Sequence, residues 1–136
     1  MCTLFVVDDN EIDQRIIKHN LIKYPVFKDV LYYDKGIPLI DYIEEHKNDS
    51  NNLPDAIFLD LSMPDFDGWD VLDALQTIYP KLSKKINVYI VSASIWSRDI
   101  FKAKKYDFVQ EFITKPITKD NLISISEEVK NLRRIG

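Results

Sequence analysis

Short apolar runs alternate with longer amphipathic stretches five times along this chain, and that alternation restricts the fold more than any other feature. It is the pattern of βα units, in which buried parallel strands are joined by helices that cover the sheet. Strands are expected at Thr3 to Val7, Val30 to Tyr33, Ala56 to Leu59, Val88 to Val91 and Glu111 to Ile113. Helical spacing places Ile12, Ile16 and Ile17 on one face, Leu72, Leu75 and Tyr79 on another, and Leu122, Ile125, Val129 and Leu132 on a third; all three stripes are expected to be core. Right-handed crossovers and short connections make the doubly wound order 2-1-3-4-5 the natural solution for five such units, giving a three-layer α/β sandwich.

Punctuation agrees with this division. Tyr24-Pro25 and Tyr79-Pro80 are expected to stop helices, because proline pushes the preceding residue out of the α region. Residues 48–52 form a polar loop, and Thr118 is placed to cap the last helix. With 136 residues, no linker and no low-complexity segment, the reading is a single domain over 1–136 without an output domain. The formal charge of -4 disfavours non-specific binding to nucleic acid. The lysines at 81, 84 and 85, and at 102, 104 and 105, are expected to be solvated. Cys2 is the lone cysteine, so neither an internal disulfide nor a cysteine metal site is available. No apolar segment approaches the roughly 18 residues that span a bilayer, and no signal-peptide pattern opens the chain, so a cytoplasmic location without membrane contact is expected.

Two of the strand-like runs end abruptly in acids. Leu4-Phe5-Val6-Val7 runs into Asp8-Asp9, and Ala56-Ile57-Phe58-Leu59 runs into Asp60. In the order 2-1-3-4-5 these strands are neighbours at the point where strand order reverses, and ligands of open α/β sheets bind outside the carboxyl ends there. Three packed carboxylates are costly to keep ionised unless a cation compensates, which points to a hard, oxygen-ligated ion such as Mg²⁺. Ser92 and Lys115 end two further strands on the same edge. Carboxylates, a hydroxyl and an ammonium together are what holding a phosphoryl group on an aspartate requires.

The segments Val6-Val7-Asp8-Asp9-Asn10, residues 60–68, Val91-Ser92-Ala93 and Phe112-Ile113-Thr114-Lys115-Pro116 resemble the successive motifs of response-regulator receiver domains, the CheY-like superfamily with its flavodoxin-like fold. The match covers essentially the whole chain. The resemblance implies that Asp60 is the phosphoacceptor, that Asp8 and Asp9 serve Mg²⁺ together with Asp60 and the backbone carbonyl of Ser62, that Ser92 and Lys115 bind the phosphoryl group, and that Phe112 is the aromatic switch. It also implies a cis Lys115-Pro116 peptide bond. Phenylalanine stands where tyrosine is common, so a switch at Phe112 has no hydroxyl and works through packing.

Taken singly, each of these residues has a duller role: an acidic pair favoured at a helix start, a solvated strand end, a turn serine, a surface lysine, a core phenylalanine. Their conjunction at the strand ends is what favours the receiver reading. An aspartate-dependent phosphohydrolase needs a second acid two residues beyond its nucleophile, and Asn10 and Ser62 occupy those positions after Asp8 and Asp60. A flavin mononucleotide module is disfavoured because Asp9-Asn10-Glu11 is acidic where a phosphate cradle is needed. A degenerate receiver acting as a protein-interaction scaffold remains the alternative. The expected partners are a histidine kinase or histidine phosphotransfer protein as donor, and a protein target on the face of the fourth helix, fifth strand and fifth helix. Tyr106, Phe108 and Val109 are expected to form part of an apolar patch there. Homodimerisation is left open. The expectation is a signalling module, not an enzyme with a turnover substrate.

Overall fold

A computed structural model describes residues 2–135. Strands β1 (Thr3–Val7), β2 (Asp29–Tyr33), β3 (Ala56–Asp60), β4 (Asn87–Ser92) and β5 (Val109–Thr114) form one parallel sheet ordered β2-β1-β3-β4-β5. Helices α1 (Glu11–Lys23), α2 (Gly36–Glu45), α3 (Gly68–Ile78) and α4 (Ser97–Ala103) connect successive strands, and α5 (Lys119–Ile135) follows β5. The expected fold and strand order are therefore observed. Four strands extend beyond the expected bounds, because the backbone ladder also pairs flanking residues: Asp60 pairs with Val91, Ser92 with Thr114, and Val88 with Val109.

Strand periodicity divides the core in two. Phe5, Val7, Ile57, Leu59, Val88 and Ile90 point to one face, where they meet Leu39 and Ile43 of α2, Leu72 and Leu75 of α3, and Ala103 of α4. Leu4, Val6, Phe58, Tyr89 and Val91 point to the other, against Ile17 and Leu21 of α1 and Leu122, Ile125 and Val129 of α5. The α3 and α5 stripes are core, with Tyr79 half-buried at the edge of the first cluster and Leu132 half-buried outside the second. The α1 stripe is core only in part: Ile17 is buried and Ile16 half-buried as expected, but Ile12 is 67% exposed, and Leu21 joins the buried face. Ile12 lies in the first turn of the helix.

Helix starts are written in side chains. The Asn10 side chain accepts the Asp13 N–H and caps α1, Asp67 and Asp70 form a reciprocal capping box on α3, and Thr118 and Asn121 do the same for α5. Tyr24 does leave the α region before Pro25, but Tyr79 keeps φ −50° and ψ −43° before Pro80, and a 3₁₀ turn continues through Lys81. Tertiary contacts override the local preference there. The Tyr79 hydroxyl both donates to the Ile86 carbonyl and accepts its N–H, while its ring stacks on Phe108 at 4.8 Å. The Lys115-Pro116 peptide bond is cis.

Gly68 lets α3 start against the end of β3. Its N–H donates to the Leu61 carbonyl at 3.0 Å, and a Cβ there would stand 2.6 Å from the Asp60 carbonyl oxygen and 2.7 Å from the Leu61 Cα. Both neighbours are backbone and cannot swing aside. Gly68→Ala is expected to cost about 1–3 kcal/mol of stability, the range for overpacking a well-packed site, measured by urea denaturation; an unchanged midpoint would mean that the β3–α3 junction gives more easily than this geometry implies.

Candidate functional site

The carboxyl ends of β1, β3, β4 and β5 surround an open cavity of about 870 Å³ lined by Asp9, Asp13, Asp60, Ser62, Ser92 and Lys115, among others. Asp8 is 2% exposed and Asp60 4%, whereas Asp9 is exposed. One oxygen from each of Asp8, Asp9 and Asp60 falls within 4.8 Å of the others. The structure thus brings the three expected acids together, with Ser92 and Lys115 on the same cavity. Asp60 is steadied by the Ser62 N–H at 3.2 Å and Asp8 by the Asn10 N–H at 2.8 Å. Phe112 stands back from the acids: it is half-buried in register with Ile90, lining a groove of about 360 Å³ with Ile100, Ala103 and Tyr106.

Lys115 supplies the counter-charge. Its ammonium lies 2.7 Å from Asp13 Oδ2, 2.9 Å from Asp8 Oδ2 and 3.6 Å from Asp60 Oδ2. The Lys115 N–H donates to the Ser92 carbonyl at 2.9 Å, which ties the start of its loop to the end of β4. Burial alone would favour the neutral amine, but hydrogen bonds to Asp13 and Asp8, with the nearby Asp60 charge, hold the ammonium above its usual range. Asp60 is pushed up to about 7, first by burial and then by the neighbouring Asp8, with Lys115 and the Ser62 N–H pulling the other way. The Ser92 hydroxyl donates to the Ser94 carbonyl at 2.9 Å.

Sequence reasoning missed several residues here. Asp13 makes the shortest contact to Lys115 and was legible as the acid in the first turn of the helix that follows the acidic pair. The Gln14 amide donates to the carbonyls of Asp8 (2.6 Å) and Tyr33 (3.0 Å), stitching the ends of β1 and β2 to α1. Trp69, Trp96 and Arg98 also line the cavity, with Arg98 lying over the Trp96 ring. No local signal marks them as cavity residues, because Trp69 arrives on α3, Trp96 immediately before α4 and Arg98 in the first turn of α4.

The sequence model of the response regulator receiver domain family matches residues 4–127. This chain belongs to that family. The chemotaxis protein CheY of Listeria monocytogenes serovar 1/2a is 30% identical over 128 residues, which cover 94% of this chain and 98% of that protein. The phosphorylated cyanobacterial phytochrome response regulator RcpA matches with a TM-score of 0.72 and 32% identity, covering 98% of this chain and 94% of its own. A two-component response regulator from Cytophaga hutchinsonii superposes with a TM-score of 0.84 over 95% of this chain and 96% of its own, a likeness of fold at 23% identity. Receiver domains are modules of two-component signalling rather than enzymes with a turnover substrate, and they bind Mg²⁺.

The residues present fit such an ion. Three carboxylates converge on one point, Asp9 has no ion-pair or hydrogen-bond partner among the described residues, and Lys115 offsets only part of the negative charge. No described helix is long and apolar enough to cross a membrane.

The raised Asp60 value sets a pH dependence in metal-free protein. Between the ordinary carboxylate range near pH 4 and about pH 7, the folded state holds a proton that the unfolded chain releases. Stability therefore falls as pH rises through that window, and the penalty is fully present above it. Asp60→Asn removes the penalty and loses the 3.6 Å contact to Lys115. In chelator at pH 8 the variant should be more stable than the parent by roughly 2 kcal/mol, narrowing to near zero at pH 4. Urea melts at the two pH values read this directly; a variant that melts below the parent at pH 8 would mean that the acids are not crowded.

Proposed function

We propose that this chain is a phosphoacceptor receiver, switched by transfer of a phosphoryl group from a phosphohistidine donor to Asp60 in the presence of Mg²⁺. The observation that carries the reading is the setting of Asp60: buried beside Asp8, in contact with Lys115, and facing an open cavity bounded by Ser92. An Asp60 oxygen attacks phosphorus in line as the donor's P–N bond breaks, leaving an acyl phosphate that water later hydrolyses. Lys115 and the Ser92 hydroxyl then bind the phosphoryl oxygens, for which Ser92 must release the Ser94 carbonyl. Asp8, Asp9, Asp60 and the Ser62 carbonyl are the groups that would hold Mg²⁺. The bound ion would neutralise the crowded acids and the incoming phosphoryl oxygens. The phosphorylated state named for the cyanobacterial relative supports this reading.

Drawing the Ser92 hydroxyl inward pulls on the loop that carries Trp96 and Arg98 into α4. Phe112 faces that helix across the groove and responds through packing. The donor is a histidine kinase or a histidine phosphotransfer protein, and the readout is association of the α4–β5–α5 face with a second protein. The apolar groups on that face differ from those expected. Tyr106 and Phe108 are buried and Val109 is half-buried, whereas Trp96, Ile100 and Phe101 at α4 and Ile123 of α5 are exposed.

Incubation with acetyl phosphate and Mg²⁺ should add the mass of one phosphoryl group, and Asp60→Asn should abolish it; full labelling of that variant would move the phosphoacceptor elsewhere. Asp9→Ala should weaken Mg²⁺ binding by about tenfold or more while the fold is kept, as read by the fluorescence of Trp69 and Trp96 at the cavity. Unchanged Mg²⁺ affinity would remove Asp9 from the ligand set.

A further inference from the structure

An ammonium has three N–H donors, and three carboxylates surround that of Lys115: Asp13 at 2.7 Å, Asp8 at 2.9 Å and Asp60 at 3.6 Å. Two of these acceptors already have a part in the reading above. Asp60 would carry the phosphoryl group, and Asp8 would serve the metal. Asp13 has neither part, yet makes the shortest contact and lines the cavity. It is also held firmly. Its backbone N–H is fixed by the Asn10 cap, which sets the first turn of α1 beside the acids.

Resting on the phosphoacceptor reading, we propose that Asp13 is a positioning residue that holds the Lys115 ammonium at rest and competes for it with the phosphoryl group on Asp60. One cation then serves two anions on different elements, a carboxylate on α1 and an acyl phosphate at the end of β3. Charge-assisted bonds of this length are the strong ones, so the Asp13–Lys115 pair opposes recruitment of Lys115 by the phosphoryl group. Weakening that pair should make the phosphorylated state easier to reach. The device is absent from the strand-end motifs themselves and lies wholly in a helix residue that neither the metal nor the phosphoryl group is expected to touch.

Asp13→Asn keeps the side-chain shape and the Asn10 cap but removes the charge, and Asp13→Ala replaces it should the first variant fail to fold. Two measurements follow. Without metal or phosphodonor, acylation of Lys115 by an amine-reactive acetyl ester, quantified by peptide mass spectrometry, should speed up roughly fivefold in Asp13→Asn, because the ammonium loses a charged acceptor. With Mg²⁺, calorimetric affinity for beryllofluoride, a phosphoryl mimic, should tighten by roughly fivefold. That gain should fall below about twofold when Asp13→Asn is made in a Lys115→Ala background, since a purely structural or long-range charge effect would persist there. Unchanged acylation of Lys115, weaker or equal beryllofluoride binding, or the same gain in both backgrounds overturns the proposal. A parent that takes up no beryllofluoride overturns the phosphoacceptor reading and the competition with it, while the acylation rates still decide whether Asp13 holds Lys115.

Discussion

The open edge of this molecule depends on one electrostatic imbalance. Asp8 and Asp60 are almost fully buried side by side, Asp9 and Asp13 stand at the same cavity, and Lys115 is the cation in contact with the buried pair. Removing several charges from water is costly, and a single ammonium cannot offset all of them. The upward push on Asp60 is the direct sign of this shortfall. Such an arrangement is poor as a stabilising device. It fits a site held short of positive charge, which the proposed divalent ion would supply.

The amino edge of the same sheet is organised in the opposite way. Asp55 is buried there too, but it accepts the Thr3 N–H at 2.8 Å, pairs with Lys84 at 3.0 Å and lies 3.8 Å from Arg133. One carboxylate has cations and donors to spare. Lys84, expected to be a solvated lysine, is thus a structural partner, and its ammonium also donates to the Leu53 carbonyl. Three other lysines of the basic stretches lie over rings, Lys102 over Trp69, Lys104 over Phe101 and Lys105 over Tyr106. The sheet is therefore closed electrostatically at one end and left open at the other, with two apolar cores between.

Between the cavity and the α4–β5 side the contacts are short-range and continuous. The Ser92 hydroxyl holds Ser94, Trp96 precedes α4, and Phe112 packs beside Ile100 and Ala103. The rings expected on a surface patch, Tyr106 and Phe108, are taken inward by a chain of aromatic contacts from Trp69 through Tyr106 and Phe108 to Tyr79, and the Tyr106 hydroxyl donates to Asp73. That inward packing leaves Trp96, Ile100 and Phe101 as the exposed apolar groups on this side. Trp96, Ile100 and Phe101, the exposed apolar groups, and Arg98 at the cavity thus belong to the same short helix and the residue that precedes it.

Much of this was legible in the chain itself. Apolar runs of strand length, the acids that end two of them, and the capping residue Thr118 are local signals, and each acts through its own backbone or through the fixed alternation of a strand. Those signals determine the five units, the sheet order and the presence of Asp8, Asp9, Asp60, Ser92 and Lys115 on one edge. What tertiary structure alone decided is which side chains meet once the units pack. Asp13 reaches Lys115 across 102 residues of sequence, Ile12 is left in solvent, Tyr79 remains helical before a proline, and Tyr106 turns inward. The physical reason is common to all four: helix faces and ring orientations are settled by neighbours from distant elements, at energies comparable to or larger than the local preferences that a sequence displays.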